Sequence, residues 1–270
     1  MLISYSMPSI SGSTLTGAAW LTADGAAALW DGKPARRARL QWSAGSSLDA
    51  FVKITLAFTG TAALRVLALL GSNLPAGVRI DFRGAGGDGL GGTCDNARTT
   101  TMPDGTTGAW AIARANEPAE TGVEILIYND CNGVPWAANG TTIDIGEVWA
   151  APAVEIAHKP DWGNELQDPS ELTLTLLSQP NSVRRASYRT LDVPITAAAG
   201  AEVYSQGLGN GMDWYALQRQ LAGNARCAVV VRRTSTYQLA QYGIGQLASI
   251  RHVGGDNYEG QFRHQEVPAR

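Results

Sequence analysis

Apolar and polar residues alternate along many short segments of this sequence. Residues 78–83 read VRIDFR and place Val78, Ile80 and Phe82 at every second position. Residues 51–58 read FVKITLAF and show the same period. Because successive side chains of a β-strand point to opposite faces, this period predicts sheets with one buried and one solvated face. Gly, Asn, Asp and Pro separate the segments, as tight turns require. The sequence therefore predicts a mainly β protein.

One segment has the period of a helix instead. Across residues 213–222 (DWYALQRQLA), apolar side chains recur at helical spacing at Trp214, Leu217 and Leu221. Asn210 or Asp213 can cap the start of this helix, and the glycine at position 223 suits the left-handed residue at its end. We therefore predict one helix, at about 213–222, packed on a sheet.

A polar segment at residues 158–170 divides the chain into two predicted domains. It reads HKPDWGNELQDPS, and its prolines and glycine are typical of a connection between compact regions. The predicted boundary lies between residues 157 and 158. The second domain, 158–270, is predicted to be the smaller one, β-rich and with the single helix.

Charge and hydropathy exclude two classes of partner. The formal net charge is -3, whereas nucleic-acid binding depends on concentrated positive charge, so we expect no nucleic-acid partner. The longest apolar run, near Val66 to Leu70, is far shorter than the ~18 residues of a membrane-spanning helix, so we expect no membrane span. The three cysteines, Cys94, Cys131 and Cys227, are too few and too scattered for a disulfide scaffold, although a Cys94–Cys131 pair stays open.

No motif carries a complete catalytic or metal-binding pattern. Residues 87–92 match GxGxxG, but the segment after them lacks the helical period that a dinucleotide site requires, which indicates a loop. Residues 128–133 (YNDCNG) lack the spaced ligands and terminal Glu of a calcium loop, which indicates a hairpin turn, with a structural cation as the open alternative. We therefore predict no enzymatic activity, no cofactor and no metal.

The three histidines show no zinc-ligand spacing. They are His158, His252 and His264, and a zinc site needs three or four ligands that converge. We predict that they lie on the surface or in hairpins. His252 and His264 fall on neighbouring predicted strands, so these two could approach each other.

The chain contains eight tryptophans, spread evenly along its length. Indole rings fill cores and interfaces, and their faces also bind sugars. We predict that most of them lie in the core or at subunit contacts. Trp110 and Trp136 lie next to predicted loops, so they are the candidates for a sugar-binding site.

Two parts of the first half resemble a known family. They are residues 27–42 (AALWDGKPARRARLQW) and residues 64–84 (LRVLALLGSNLPAGVRIDFRG). Together they resemble the galactose-binding-like, discoidin-type β-sandwich, with Asp31-Gly32, Trp42 and Asn73-Leu74 at its motif positions; residues 143–156 are similar to its closing strand. The resemblance implies a galactose-binding-like β-sandwich over residues 1–157. The ligand loops of that family vary widely, so the resemblance assigns no binding residue here.

The second half resembles a different group of proteins. Residues 213–223, then 227–233 (CAVVVRR) and 242–267, follow a helix, strand and hairpin order. This order is similar to the C-terminal part of distal tail and minor tail proteins of long-tailed bacteriophages (siphophages).

The second resemblance implies a structural role in a virion. The expected function is a tail-tip component, a distal tail ring that joins the tail tube to the tip or baseplate. The expected partners are copies of the chain itself, the tail tube protein and hub or fibre proteins. The expected location is the virion tail tip, after synthesis in the cytoplasm of the bacterial host. The alternatives are a carbohydrate-binding adhesion module for a host surface glycan and, third, a hydrolase acting on cell-wall or capsule polymer.

Overall fold

The computed structural model describes residues 1–22, 25–85, 97–113, 119–174, 180–234 and 237–268. From the start of the chain, the first strands are β1 (Leu2–Tyr5), β2 (Ile10–Thr16), β3 (Ala18–Trp20), β4 (Ala38–Trp42), β5 (Phe51–Ala63), β6 (Val66–Ser72), β7 (Val78–Gly84), β8 (Ala97–Arg98), β9 (Thr100–Thr101), β10 (Thr107–Ile112), β11 (Ala119–Cys131), β12 (Thr142–Ile145), β13 (Glu147–Ala151) and β14 (Ala153–Glu155). Then follow β15 (Gly163–Gln167), β16 (Glu171–Leu174), β17 (Pro180–Val183), β18 (Tyr188–Ala199), the helices α1 (Gly200–Tyr204) and α2 (Trp214–Leu221), and β19 (Arg226–Thr234), β20 (Tyr237–Leu247), β21 (Arg251–Gly254) and β22 (Asn257–Glu266). The chain is mainly β, as the alternation predicts.

The described chain divides into two compact units. The N-terminal unit is Ser4–Ala153, and the C-terminal unit contains Met1–Ile3 and Val154–Pro268. Relative to the predicted boundary at 157/158, the first three residues and residues 154–157 group with the C-terminal unit. The reason is strand pairing, because β1 and β14 hydrogen-bond within the large sheet of that unit.

The N-terminal unit is a β-sandwich. Its five-stranded sheet has the order β2-β5-β11-β7-β8, and its other sheets have the orders β13-β6-β10-β9 and β12-β4-β3. Apolar side chains of these sheets form one core, which contains Val52, Ile54 and Leu56 from β5 and Leu67 and Leu69 from β6. Burial of each such side chain contributes roughly 1.5–3 kcal/mol. The alternation in residues 51–58 and 78–83 therefore identifies the faces that meet in the core.

The C-terminal unit is built on a sheet of eight strands. Its order is β14-β1-β19-β20-β22-β18-β15, and β21 pairs with β22 beside this path. Helix α2 packs on β20, with its three apolar residues buried. The Asp213 carboxylate caps the helix by accepting a 2.7 Å hydrogen bond from the Ala216 amide, and Gly223 has φ 68°. The predicted helix and its caps are confirmed.

The structure contains a second helix, α1, which the sequence pattern does not predict. It has five residues, too few to show a helical period in the sequence. Its first turn is held by Glu202, whose Oε2 accepts a 2.8 Å hydrogen bond from the Ala199 amide. The prediction of a single helix is therefore incomplete, because a local capping contact, and not an apolar stripe, defines this short helix.

Candidate functional site

Trp136, one of the two predicted sugar-binding residues, packs at the edge of the sandwich core. Its ring centroid lies 5.7 Å from that of Trp42 in an edge-on arrangement. Its Nε1 donates a 2.8 Å hydrogen bond to the Tyr128 carbonyl, and its backbone amide donates to Asn129 Oδ1. The indole N–H is therefore used within the protein, and the ring holds the loop after β11 against the core.

Trp110, the other predicted sugar-binding residue, lies within β10. It is half-buried and paired with Ala68 of β6, while its neighbours Ala109 and Ala111 point into the core. Trp110 thus lies on the opposite face of that sheet from the core. Neither Trp110 nor Trp136 lines the groove described below.

The histidines occupy different environments. His252 is opposite Tyr258 across β21 and β22, whereas His264 is opposite Leu191 and Gly245 farther along β22. The sequence-based expectation that His252 and His264 could approach each other is therefore not met. The prediction that the histidines lie on the surface or in hairpins is wrong for His264, because only 3% of this residue is exposed and its strand β22 lies inside the sheet, between β20 and β18.

His264 belongs to a polar cluster on the large sheet. Its Nδ1 lies 3.2 Å from Gln241 Oε1, and Gln241 Nε2 donates a 2.7 Å hydrogen bond to Asn164 Oδ1. Burial lowers the pKa of His264 to about 3, while the Cys227 carbonyl opposes this shift and the Arg189 charge adds to it. His264 is therefore a neutral structural imidazole.

The turn at Asp130 is a hairpin turn, as predicted. Asn132 and Gly133 have φ of 54° and 86°, and Cys131 bridges to Val134. The Gly133 amide donates a 2.7 Å hydrogen bond to Asp130 Oδ1, and Arg98 Nη2 lies 3.4 Å from the other oxygen. The carboxylate is thus engaged by the protein. Within the described ranges no group of three His, Cys, Asp or Glu side chains could hold a metal ion.

Two sequence features lie outside the described residues. They are the GxGxxG match at residues 87–92 and Cys94, with its open pairing to Cys131. Among the helices that the structure does describe, none has the length and apolar character needed to cross a bilayer.

A two-stranded ribbon extends one hairpin of the C-terminal unit beyond its sheet. Gln167 pairs with Tyr188 at the end of β15, and Glu171 pairs with Val183 in the ribbon of β16 and β17. β16 and β17 pair with each other and with no other described strand. We call residues 171–174 and 180–183 the arm. It is a continuation of the β15–β18 hairpin that leaves the eight-stranded sheet.

The base of the arm is fixed by polar contacts. The Arg185 amide donates a 3.1 Å hydrogen bond to Ser170 Oγ, and Arg185 Nη2 lies 2.8 Å from Glu171 Oε1. Both members of this ion pair are more than half exposed, so it contributes at most about 1 kcal/mol. These contacts orient the arm at its base but contribute little to its stability.

Strand β15 lies next to the base of the arm, at the edge of the large sheet. Four of its five residues are exposed, and the Leu166 side chain is 60% exposed. Val183, in the arm, is 46% exposed. An edge strand leaves backbone N–H and C=O groups free to pair with another chain. The edge strand and the arm together form a surface suited to binding a further β-strand.

A groove of about 460 Å³ lies beside this edge, over strands β15, β18, β20 and β22 of the same sheet. Its polar lining residues include Glu165, Thr190, Asp192, Gln246, Arg263 and Gln265, and Leu191 and Ile244 also line it. Asp192 accepts a 2.6 Å hydrogen bond from Gln261 and lies 3.6 Å from Arg263. The groove thus combines acidic, basic and apolar side chains, a mixture that is found at protein interfaces.

An aromatic patch occupies another part of the C-terminal unit. The rings of Tyr204 and Tyr215 lie 5.7 Å apart, and Tyr258 contacts Tyr204 at 5.6 Å and His252 at 5.1 Å. Tyr204 is 57% and Tyr215 is 39% exposed. A hydrogen bond between these two hydroxyls raises the pKa of Tyr215. Exposed tyrosine clusters are enriched at protein interfaces, because an apolar ring carries a polar tip.

Comparisons with known proteins add little to this geometry. No protein-family model matches the sequence, and no curated protein matches it. Among solved structures, the chain is similar to the CBM32-1 and CBM32-2 domains from Clostridium perfringens ZmpB. The TM-score is 0.33 and the identity 7%, over 95% of this chain and 88% of that chain. A likeness of this strength decides neither the fold family nor the function.

Proposed function

We propose that this chain is a structural subunit of the tail tip of a long-tailed bacteriophage, of the distal tail type, and that it acts by binding copies of itself. The observation that carries the proposal is the arm with its adjacent edge strand β15. The virion context rests on the resemblance of residues 213–267 to tail-tip proteins. In this proposal the protein has no enzymatic activity and is located in the virion after synthesis in the host cytoplasm.

The physical argument starts from the stability of the arm. A two-stranded ribbon alone is marginally stable in water, and three or more strands or a packing surface are needed to hold it. The arm therefore gains stability when its strands contact the sheet of a neighbouring copy. The exposed Leu166 and Val183 side chains supply apolar area for that contact.

Such a contact favours a closed ring. The arm of one copy binds a different surface on the next, which is a heterologous interface, and heterologous interfaces close into rings when the rotation between copies allows it. The aromatic patch of Tyr204, Tyr215 and Tyr258 is a second surface of this unit available to adjoining proteins. The tail tube protein and hub or fibre proteins are the partners proposed for the faces of the ring.

The carbohydrate-binding alternative is not favoured at its predicted residues. Trp136 donates its N–H to Tyr128 and packs on Trp42. Trp110 lies within a sheet strand. A glycan array with Trp110→Ala and Trp136→Ala tests this alternative directly, and binding that survives both changes removes these two residues from it.

The assembly proposal is tested with a double variant of the contact surface. Mass photometry and negative-stain images of the wild-type chain over a range of concentrations should show rings or oligomers. Leu166→Asp with Val183→Asp places two carboxylates in the contact and should weaken association at least about tenfold, which corresponds to 1.4 kcal/mol.

Val134→Asp is the matched control, because Val134 is also an exposed valine, 62% accessible, but lies in the hairpin turn of the N-terminal unit. This variant should assemble like the wild type. A wild-type chain that stays monomeric at every concentration, with no affinity for tail tube protein, contradicts the proposal. So does a double variant that assembles normally.

A further inference from the structure

The arm carries two exposed arginines at its base. They follow Val183, the last residue of β17, and are Arg184 and Arg185. Arg185 pairs with Glu171 across the arm. Arg184, in contrast, has no hydrogen bond or ion pair with any residue that the structure describes. Its guanidinium group is therefore available to another molecule.

The aromatic patch has the chemistry that binds a guanidinium group. The rings of Tyr204 and Tyr215 are 57% and 39% exposed. A cation is attracted to the face of an aromatic ring, and the attraction grows when water is excluded from the contact. The chain already contains one such contact in its N-terminal unit, where the Arg79 guanidinium carbon lies 4.1 Å from the centre of the Tyr128 ring. Exposed tyrosines of the patch can bind an arginine of another chain in the same way.

A carboxylate lies beside the patch. Asp256, in the turn between β21 and β22, is exposed and packs against Gly200, the first residue of the helix that ends at Tyr204. Within the described part of the chain, Asp256 has no ion pair. The charged residues of α1, of α2 and of positions 251–259 are Glu202, Asp256 and Glu259 against Arg219 and Arg251. The surroundings of the patch are therefore net negative, which favours a positively charged partner.

The arm and the patch lie at opposite ends of strand β18. Its first residue, Tyr188, pairs with Gln167 next to the arm, whereas Ala198, near its other end, pairs with Tyr258 of the patch. At about 3.3 Å per residue, these two positions are separated by roughly 33 Å along the strand. Arg184 therefore cannot contact the patch of its own chain.

From these relationships we infer that the aromatic patch of one copy binds the arm of the next copy, with Arg184 on the rings of Tyr204 and Tyr215. The inference rests on the proposed function and identifies the surface that the arm contacts. Asp256 supplies the opposite charge, and the exposed Val183 side chain adds apolar area. Because the arm and the patch are different surfaces of one copy, each copy can bind two neighbours, as a ring requires.

The test uses two variants of the whole chain that each lose one side of the contact. Arg184→Glu keeps the patch but reverses the charge of the arm, whereas Tyr204→Ser with Tyr215→Ser keeps the arm but removes the rings. Each variant alone should associate at least about tenfold more weakly than the wild type in sedimentation velocity. The far-ultraviolet circular dichroism of both should be unchanged, because the substituted side chains are exposed.

An equimolar mixture of the two variants tests the pairing of these surfaces directly. One intact arm then meets one intact patch, so the mixture should form dimers that contain one copy of each variant, and no larger assembly. Arg184→Glu combined with Asp256→Arg exchanges the two charges and should recover part of the wild-type association. Arg36→Glu is the matched control, because Arg36 is an exposed arginine of the N-terminal unit. This variant should associate like the wild type.

Photo-cross-linking locates the contact on both chains. The probe is p-benzoylphenylalanine in place of Tyr215, in a chain labelled with nitrogen-15 and mixed with unlabelled wild type. Cross-linked peptides that join a labelled and an unlabelled chain should contain positions 183–185 of the unlabelled one.

The outcomes separate this inference from the proposed function. A wild-type chain that stays monomeric at every concentration contradicts both. A wild-type chain that assembles, is weakened by Leu166→Asp with Val183→Asp and is unaffected by Arg184→Glu retains the proposed function and overturns the inference alone. Two other results also overturn only the inference: a mixture of the two variants that forms no dimer, and cross-links from position 215 that reach only other parts of the second chain.

Discussion

Gly260 lies directly beneath the indole ring of Trp214. A Cβ atom at position 260 would be 2.8 Å from both Cη2 and Cζ2 of that ring. Because position 260 has no side chain, Trp214 of helix α2 can pack against β22. This close approach explains why a glycine occurs inside the strand.

Gly260→Ala should accordingly destabilise the C-terminal unit. A methyl group at this position forces the Trp214 ring or the strand to shift, and overpacking of this kind costs about 1–3 kcal/mol. Urea unfolding followed by circular dichroism checks the change. Gly163→Ala is the control, because a Cβ there meets nothing within 4 Å, and its effect should stay within about 0.5 kcal/mol. Equal stabilities of the two variants would contradict this account of the packing.

The buried ion pair between Arg189 and Glu266 gives a second prediction. Arg189 Nε and its backbone amide both donate 3.0 Å hydrogen bonds to Glu266 Oε2, and the Glu266 side chain is 4% exposed. Glu266→Gln leaves the Arg189 guanidinium, whose side chain is only 18% exposed, without its counter-charge, which should cost about 3 kcal/mol.

The matched control for that change is Glu259→Gln. Its partner Arg251 lies 3.0 Å away but is 77% exposed, so breaking this pair should cost no more than about 1 kcal/mol. Both variants are compared by urea unfolding at pH 7. A Glu266→Gln chain as stable as the control would show that the buried pair is not needed for folding.

The stability of the protein should depend on pH through His264. Its folded-state pKa is about 3, below the ordinary value of 6.5, so the unfolded chain binds a proton that the folded chain excludes between these values. The contribution of neutral His264 to the free energy of unfolding is therefore complete above about pH 6.5 and is lost as the pH falls toward 3. The slope in this window approaches about 1.4 kcal/mol per pH unit.

His264→Gln removes this titrating group and should flatten the loss of stability between pH 6.5 and 4. Unfolding curves at pH 4.5, 5.5 and 7.5 measure it. The exposed His252 provides the control, and His252→Gln should retain the slope of the wild type. A slope that survives in His264→Gln would assign the pH dependence to other groups.

The cysteines should differ in reactivity. Burial raises the pKa of Cys227 to about 12, and the thiol packs close to Gly245 under the sheet. Cys131 is partly exposed. Since the thiolate is the reactive form, iodoacetamide at pH 8 should label Cys131 well before Cys227, as read by peptide mass spectrometry. In urea the two should react at similar rates, and equally fast labelling of Cys227 in the folded chain would contradict its buried position.

Local patterns in the sequence identify many of the elements. The alternation in residues 51–58 predicts which face of β5 is buried, and Val52, Ile54 and Leu56 are indeed in the core. The apolar spacing and the Asp213 cap predict α2. Both features depend on residues that are close in the sequence, because side chains return to the same face every two positions in a strand and every 3.6 positions in a helix. The short helix α1 has no such repeat, so the sequence pattern does not reveal it.

The partners of each element follow from the folded chain instead. Nothing near residue 2 indicates that β1 joins the sheet of the C-terminal unit, and nothing near Glu266 identifies Arg189 as its partner. No residue next to His264 in the sequence indicates that it is buried. That the arm leaves the sheet follows only from the pairing of β15 with β18. The period at which side chains return to one face of a strand or helix is fixed by local backbone geometry. The contacts named here depend instead on how strands that are distant in the sequence pair and pack, so they are seen only in the folded chain.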